Sequence, residues 1–254
     1  MPAQAIWTAT DWWQHLTCCS SYLSSAPTAN KHHNNEQFHG KPVPLQEPAF
    51  LFLCAASSPY LCPVEKLVEA RLPVPNAQFT MIAFGEEGDL HPHIALVASS
   101  ADGAAVPLVR VHSECMTGDV FGSTRCDCGQ QLDLSLAQIG AEGGCLIYLR
   151  QEGRGIGLVE KLKAYNLQDE GMDTIEANEA LGHQADARSF DVAAEILRTL
   201  GMLEVRLLTN NPQKVKELEE NGIRVEKREP VVIAPVKENE AYLAVKKAAM
   251  GHWL

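Results

Sequence analysis

In Gly144-Cys-Leu-Ile-Tyr-Leu-Arg-Gln-Glu-Gly-Arg-Gly-Ile-Gly157 a short apolar run, Cys145–Leu149, gives way to glycine at every second position. A continuous apolar run of that length, bounded by turn residues, is what a strand covered on both faces shows. Leu158, Leu162 and Tyr165 then recur at helical spacing, so the unit reads strand, glycine turn, helix. Val205–Thr209 followed by Asn210-Asn-Pro212 reads the same way, with Asn211 as N-cap and Pro212 at the first helical position. That second helix stops at Asn221-Gly222.

Outward from these two units, Phe79–Phe84, His93–Ser99 and Val106–His112 read as strands separated by Gly, Asp and Ser. Leu132, Leu136 and Ile139 mark a helix that Gly140, Gly143 and Gly144 end. Ser189 is the expected N-cap of a helix to Leu200, Ile223–Glu226 and Val231–Ala234 resume strand character, and Glu238–Met250 closes as a helix. Strands alternating with helices predict an α/β fold, a single layered domain with a mixed β-sheet flanked by helices.

The 254-residue chain carries 21 Lys+Arg against 32 Asp+Glu, a formal net charge of −11. That balance excludes nonspecific binding to a nucleic acid polymer or an anionic membrane, which need basic footprints. The charge is uneven: residues 1–62 hold only Asp11, Lys31, Glu36, Lys41 and Glu47, no Arg, and three of the four Trp. This stretch has no convincing period and is expected to be a poorly structured N-terminal extension, with 63–254 as the folded domain. The first Lys is Lys31 and the first Arg is Arg71, so neither a secretory signal nor a transit peptide is legible. The apolar run Ala49–Ser57 is too short to span a bilayer, and the expected location is cytoplasmic.

Cys115, Cys126 and Cys128 fall within fourteen residues and offer soft ligands suited to zinc. Three thiolates leave a fourth position for water, whose pKa zinc lowers toward about 7. The alternatives from spacing alone are a closed structural site recruiting Cys145, or plain thiols. Arg150-Gln-Glu-Gly-Arg-Gly-Ile-Gly157 is a candidate phosphate cradle, since a strand-to-helix turn offers backbone N–H groups and a helix dipole. Thr209 and Lys214 sit at the second such turn. Each turn taken singly is also explained as an ordinary connection, with Lys214 a solvated lysine.

Arg110-Val-His-Ser-Glu-Cys115-x-Thr-Gly-Asp119, Arg125-Cys-Asp-Cys-Gly129, Arg150-Gln-Glu-Gly-Arg154, Asp173-Thr-x-Glu-Ala-Asn178, Asp186-x-Arg188, Leu207-Leu-Thr-Asn-Asn-Pro212 and Met250-Gly-His252 together resemble the GTP cyclohydrolase II family over roughly 64–254. The resemblance implies zinc-dependent hydrolysis of GTP, opening the imidazole ring with release of formate and pyrophosphate, the first committed step toward riboflavin. It implies one zinc per chain on Cys115, Cys126 and Cys128 plus a water, Mg²⁺ with the GTP phosphates, and a homodimer. It implies GTP contacts at Arg110, Val111, His112, Ser113, Glu114, Gln131, Glu152, Gly153, Arg154, Thr174, Thr209 and Lys214. Catalytic roles fall to Asp186, Arg188 and Tyr165. The alternative is a catalytically inactive nucleotide-binding paralogue with a regulatory or structural role.

Overall fold

The computed structural model describes residues 64–253 except 76, 100–105 and 185, all within the unit Ser57–Leu254. The expected extension over 1–62 lies outside the described residues. Seven strands form one mixed sheet: β1 (Glu65–Val74), β2 (Ala77–Gly85), β3 (His93–Ala98), β4 (Leu108–Ser113), β5 (Gly144–Leu149), β6 (Glu204–Leu208) and β7 (Arg224–Glu229). Their spatial order is β1-β2-β3-β5-β4-β6-β7. β1, β2, β3 and β5 pair antiparallel in succession, while β5, β4, β6 and β7 run parallel.

The helices are α1 (Met116–Asp119), α2 (Cys128–Glu142), α3 (Leu158–Asp169), α4 (Thr174–Ala180), α5 (Asp191–Thr199), α6 (Pro212–Glu220) and α7 (Glu240–Met250). Alternation along the buried strands splits the core in two. Cys145, Ile147 and Leu149 join Val109, Val111, Val205 and Leu207 beneath Ala193, Ile196 and Leu197 of α5. Leu146, Leu108 and Leu208 face the other way, toward Ile139 of α2.

Several local expectations need correction. Ser189 does not cap α5: its hydroxyl is turned to Asp191, and Phe190 is the N-cap, its N–H donating to Glu217 Oε2 at 2.8 Å. Gly140 lies inside α2, which runs on to Glu142 with Gly143 as its cap. Val231–Ala234 is not a strand, because Asn210 claims Val231 at both backbone groups. Leu162 is 45% exposed: α3 turns Lys161, Ala164, Tyr165 and Gln168 inward instead.

Parallel strands β4, β5 and β6 all end on the same edge, so the loops after them converge there, the usual place for a ligand in an α/β sheet. Leu207 is fully buried on the central strands. Leu207→Ala should lower stability by about 2–5 kcal/mol, read as a lower urea midpoint with an unchanged slope; a shift under 1 kcal/mol would contradict this packing.

Candidate functional site

The three cysteines come from two segments that meet back to back. Cys115 precedes α1, while Cys126 and Cys128 lead into α2, whose N-cap is Asp127. Their sulfurs lie within 4.8 Å of one another, Cys115 and Cys126 at 3.6 Å. Four-coordinate zinc with sulfurs at about 2.3 Å needs them roughly 3.8 Å apart, so the donor set fits such an ion. Cys145 does not join them: it is fully buried in the core, where burial pushes its thiol up to about 12. The four-cysteine alternative therefore falls. Hydrogen bonds shared with Cys126 and Cys128 hold the Cys115 thiol far below its usual range, and the same sharing raises Cys126 to about 11.

One pocket opens from these sulfurs across the sheet edge. Among the residues singled out from sequence, Arg110, His112, Ser113, Glu114, Gln131, Glu152, Gly153, Arg154, Tyr165, Thr174, Arg188, Thr209 and Lys214 line it. Val111 does not. Its side chain is in the core and only its carbonyl reaches the site, accepting from Lys214 Nζ at 2.6 Å. Asp186 is not a lining residue either; it stands behind Arg188, taking Nε at 2.8 Å and a terminal nitrogen at 2.5 Å in a two-pronged pair. Burial raises the Asp186 carboxyl, but Arg188 more than offsets this and holds it below its usual range. Arg150, in the proposed cradle, is pulled outward to Glu114 at 2.9 Å.

The pocket floor is cationic. Arg110 is buried, donating to Leu208 O at 3.0 Å and Gln131 Oε1 at 2.6 Å, and burial lowers its pKa to about 10. Lys214 is buried as well, 5.0 Å over the Phe190 ring, and burial followed by Arg110, Arg188 and Lys246 pushes its pKa well down. Neither has an ion-pair partner among the described residues. Thr209 is buried, and its hydroxyl accepts from Asn211 N at 3.0 Å. Gly153 (φ 62) and Arg154 (φ 60) are both left-handed, and a non-glycine residue held there stores on the order of 1–3 kcal/mol. The Arg154 carbonyl accepts from Ala187 N at 3.1 Å, tying this turn to the segment that carries Arg188.

Tyr165 is half-buried with its hydroxyl 3.3 Å from Thr117 Oγ1, and burial raises its pKa, so the phenol is neutral. His112 hydrogen-bonds Asp119 at 3.1 Å and stacks on Tyr148; burial lowers its pKa and keeps it neutral.

Sequence reasoning missed Lys161, Tyr242 and Lys246, all of which line the pocket, and assigned no role to His252. Lys246 donates to Asp127 Oδ1 at 3.0 Å, and Gln131 to Asp127 Oδ2 at 2.5 Å, so α7 is bound to the residue between two of the cysteines. Burial, then Lys246, Arg188 and Lys214, lowers His252 from 6.5 to about 3. As the pH falls through about 6.5 the unfolded imidazole takes a proton while the folded one stays neutral until about 3, so the folded state loses stability across that window. Wild type should therefore lose more urea stability between pH 7 and pH 5 than His252→Gln; parallel losses would contradict the field assigned to this pocket.

A family model described as GTP cyclohydrolase II matches residues 65–230. GTP cyclohydrolase-2 of Pectobacterium atrosepticum is 51% identical over 192 residues, 75% of this chain and 98% of that protein. The GTP cyclohydrolase-2 of Shigella dysenteriae serotype 1 is 50% identical over the same length and coverage. Riboflavin biosynthesis protein RibBA of Phocaeicola vulgatus is 51% identical over 192 residues, and there the chain spans 48% of the relative's length.

Proposed function

The chain belongs to the GTP cyclohydrolase II family, and we propose that it hydrolyses GTP, releasing formate and pyrophosphate to give 2,5-diamino-6-ribosylamino-4(3H)-pyrimidinone 5′-phosphate. The observation that carries this reading is one pocket lined by three converging thiols and by buried Arg110 and Lys214, neither of which has an ion-pair partner among the described residues. A site that buries such charge is matched by a multiply charged anion.

Cys115, Cys126 and Cys128 would hold zinc, which when bound supplies Lewis-acid activation of water near neutral pH. Arg154, Lys214 and Arg110, with Mg²⁺ on the phosphates, oppose the triphosphate charge. Arg188 stays a guanidinium: burial disfavours the cation, but the Asp186 fork wins and raises its pKa. Its role is then to stabilise charge developing at the α-phosphate rather than to attack it as a nucleophile, which would need a neutral nitrogen. In this reading Asp186, which accepts from Arg188 through both oxygens, orients that fork. Tyr165, which lines the pocket as a neutral phenol, gives a proton during formate loss in this reading. The protein would act in the cytoplasm as a homodimer.

Zinc-loaded full-length protein with GTP and Mg²⁺ should release formate and pyrophosphate in equal amounts; release of neither contradicts the assignment and favours the inactive nucleotide-binding paralogue. Cys126→Ser should abolish formate release, and retained formate would remove this cysteine from the chemistry. Arg188→Ala should lower kcat about 10²–10³-fold with a smaller change in KM; normal turnover would take Arg188 out of the mechanism.

A further inference from the structure

Lys161 is the charged neighbour of the sulfur cluster that the mechanism above leaves unused. It sits in the first turn of α3, with its side chain only 11% exposed, and its Nζ lies 3.1 Å from Cys115 Sγ. The same ammonium donates to Glu152 Oε1 at 2.8 Å. Glu152 is itself fully engaged: Oε1 also accepts from Gly153 N at 2.7 Å, and Oε2 accepts from Met116 N at 2.7 Å. This carboxylate staples the glycine turn to the start of α1, and fixes Lys161 in the process.

Electrostatics gives this placement a use. Three thiolates around one divalent cation leave a net charge of −1 in a partly dehydrated site, where uncompensated charge is costly. Arg125 does not serve, since it pairs with Asp169 at the surface at 2.6 Å. Lys161 is the ammonium in contact with a sulfur, and Glu152, with its own charge spread over two backbone N–H groups, keeps it there. A donor on a ligand atom restrains that ligand's orientation and withdraws electron density from it.

We propose that Lys161 is a positioning residue of the metal centre: anchored by Glu152, it donates to the Cys115 sulfur, offsets the excess negative charge of the three thiolates, and so sets how tightly the site holds zinc. The proposal rests on the reading that these cysteines bind zinc, and it concerns metal retention rather than turnover.

The test uses full-length wild type, Lys161→Met and Lys161→Arg, loaded with zinc and challenged with a chromogenic chelator, and in parallel loaded with Co²⁺ for absorption spectra. Lys161→Met should lose zinc affinity about 10–100-fold, and its sulfur-to-cobalt charge-transfer band should shift. Lys161→Arg, which keeps a cationic donor, should restore both toward wild type. Equal zinc affinity and an unchanged cobalt band in all three proteins would overturn the proposal. If Lys161→Met does not fold by circular dichroism, Glu152→Gln carries the test, with a smaller loss of affinity and a band shift in the same direction expected and no change contradicting it. Wild type that binds no zinc would sink the metal reading together with this one. Wild type that binds zinc but yields no formate would sink only the proposed activity.

Discussion

The backbones of Gly118 and Gly129 meet with no side chain between them: a Cβ on Gly129 would stand 2.4 Å from the Gly118 carbonyl oxygen. A Cβ on Gly118 would stand 3.0 Å from Cys126 Sγ. This contact lets the segment after β4 and the segment entering α2 approach until three sulfurs share one small volume. It also orients α2, so that Gln131 reaches Arg110 from one side and Asp127 from the other. From Asp127 the chain of bonds continues to Lys246 on α7. The sulfur cluster, the cationic floor and the carboxy-terminal helix are therefore one mechanical unit built on two glycines.

Charge explains why that unit sits in an acidic protein. The whole chain is at −11, yet Arg110, Lys214, Arg188, Arg154 and Lys246 gather at one sheet edge. Arg110 and Lys214 have no ion-pair partner among the described residues, and burial together with Lys246, Arg188 and Lys214 holds the His252 imidazole neutral. The global balance opposes extended polyanions, which meet the outer surface, and says nothing against a small anion that enters the pocket. Arg188 is held by a forked carboxylate, both Asp186 oxygens accepting from it. A forked partner costs some of its net charge but fixes its orientation, which matters more for stabilising one developing charge than for holding a flexible triphosphate.

Much of this was legible in the sequence where local rules and tertiary packing agree. β5 and β6 are covered on both faces and so appear as continuous apolar runs, and Asn211-Pro212 caps α6 as its chemistry dictates, the Asn211 side chain accepting from Gln213 N at 2.9 Å. β1 was illegible because it is an edge strand exposed along most of its length, so its charged residues conceal any alternation. The cysteines were readable from spacing, because all three fall within fourteen residues. Lys161 and Lys246 were not: a lysine on a helix reads as solvated, and only the packing of α3 and α7 against the site shows otherwise. Val111 lies inside a motif whose alternate residues face the pocket, while its own side chain faces the core and only its carbonyl reaches the site.

The central claim is that Cys115, Cys126 and Cys128, without Cys145, form the protein part of a metal site that opens onto the cationic pocket. X-ray absorption at the zinc edge, combined with metal analysis of the full-length protein, tests it most directly. The account predicts one zinc per chain with three sulfur neighbours at about 2.3 Å and one lighter neighbour. Four sulfur neighbours, or protein that takes up no zinc, would contradict it.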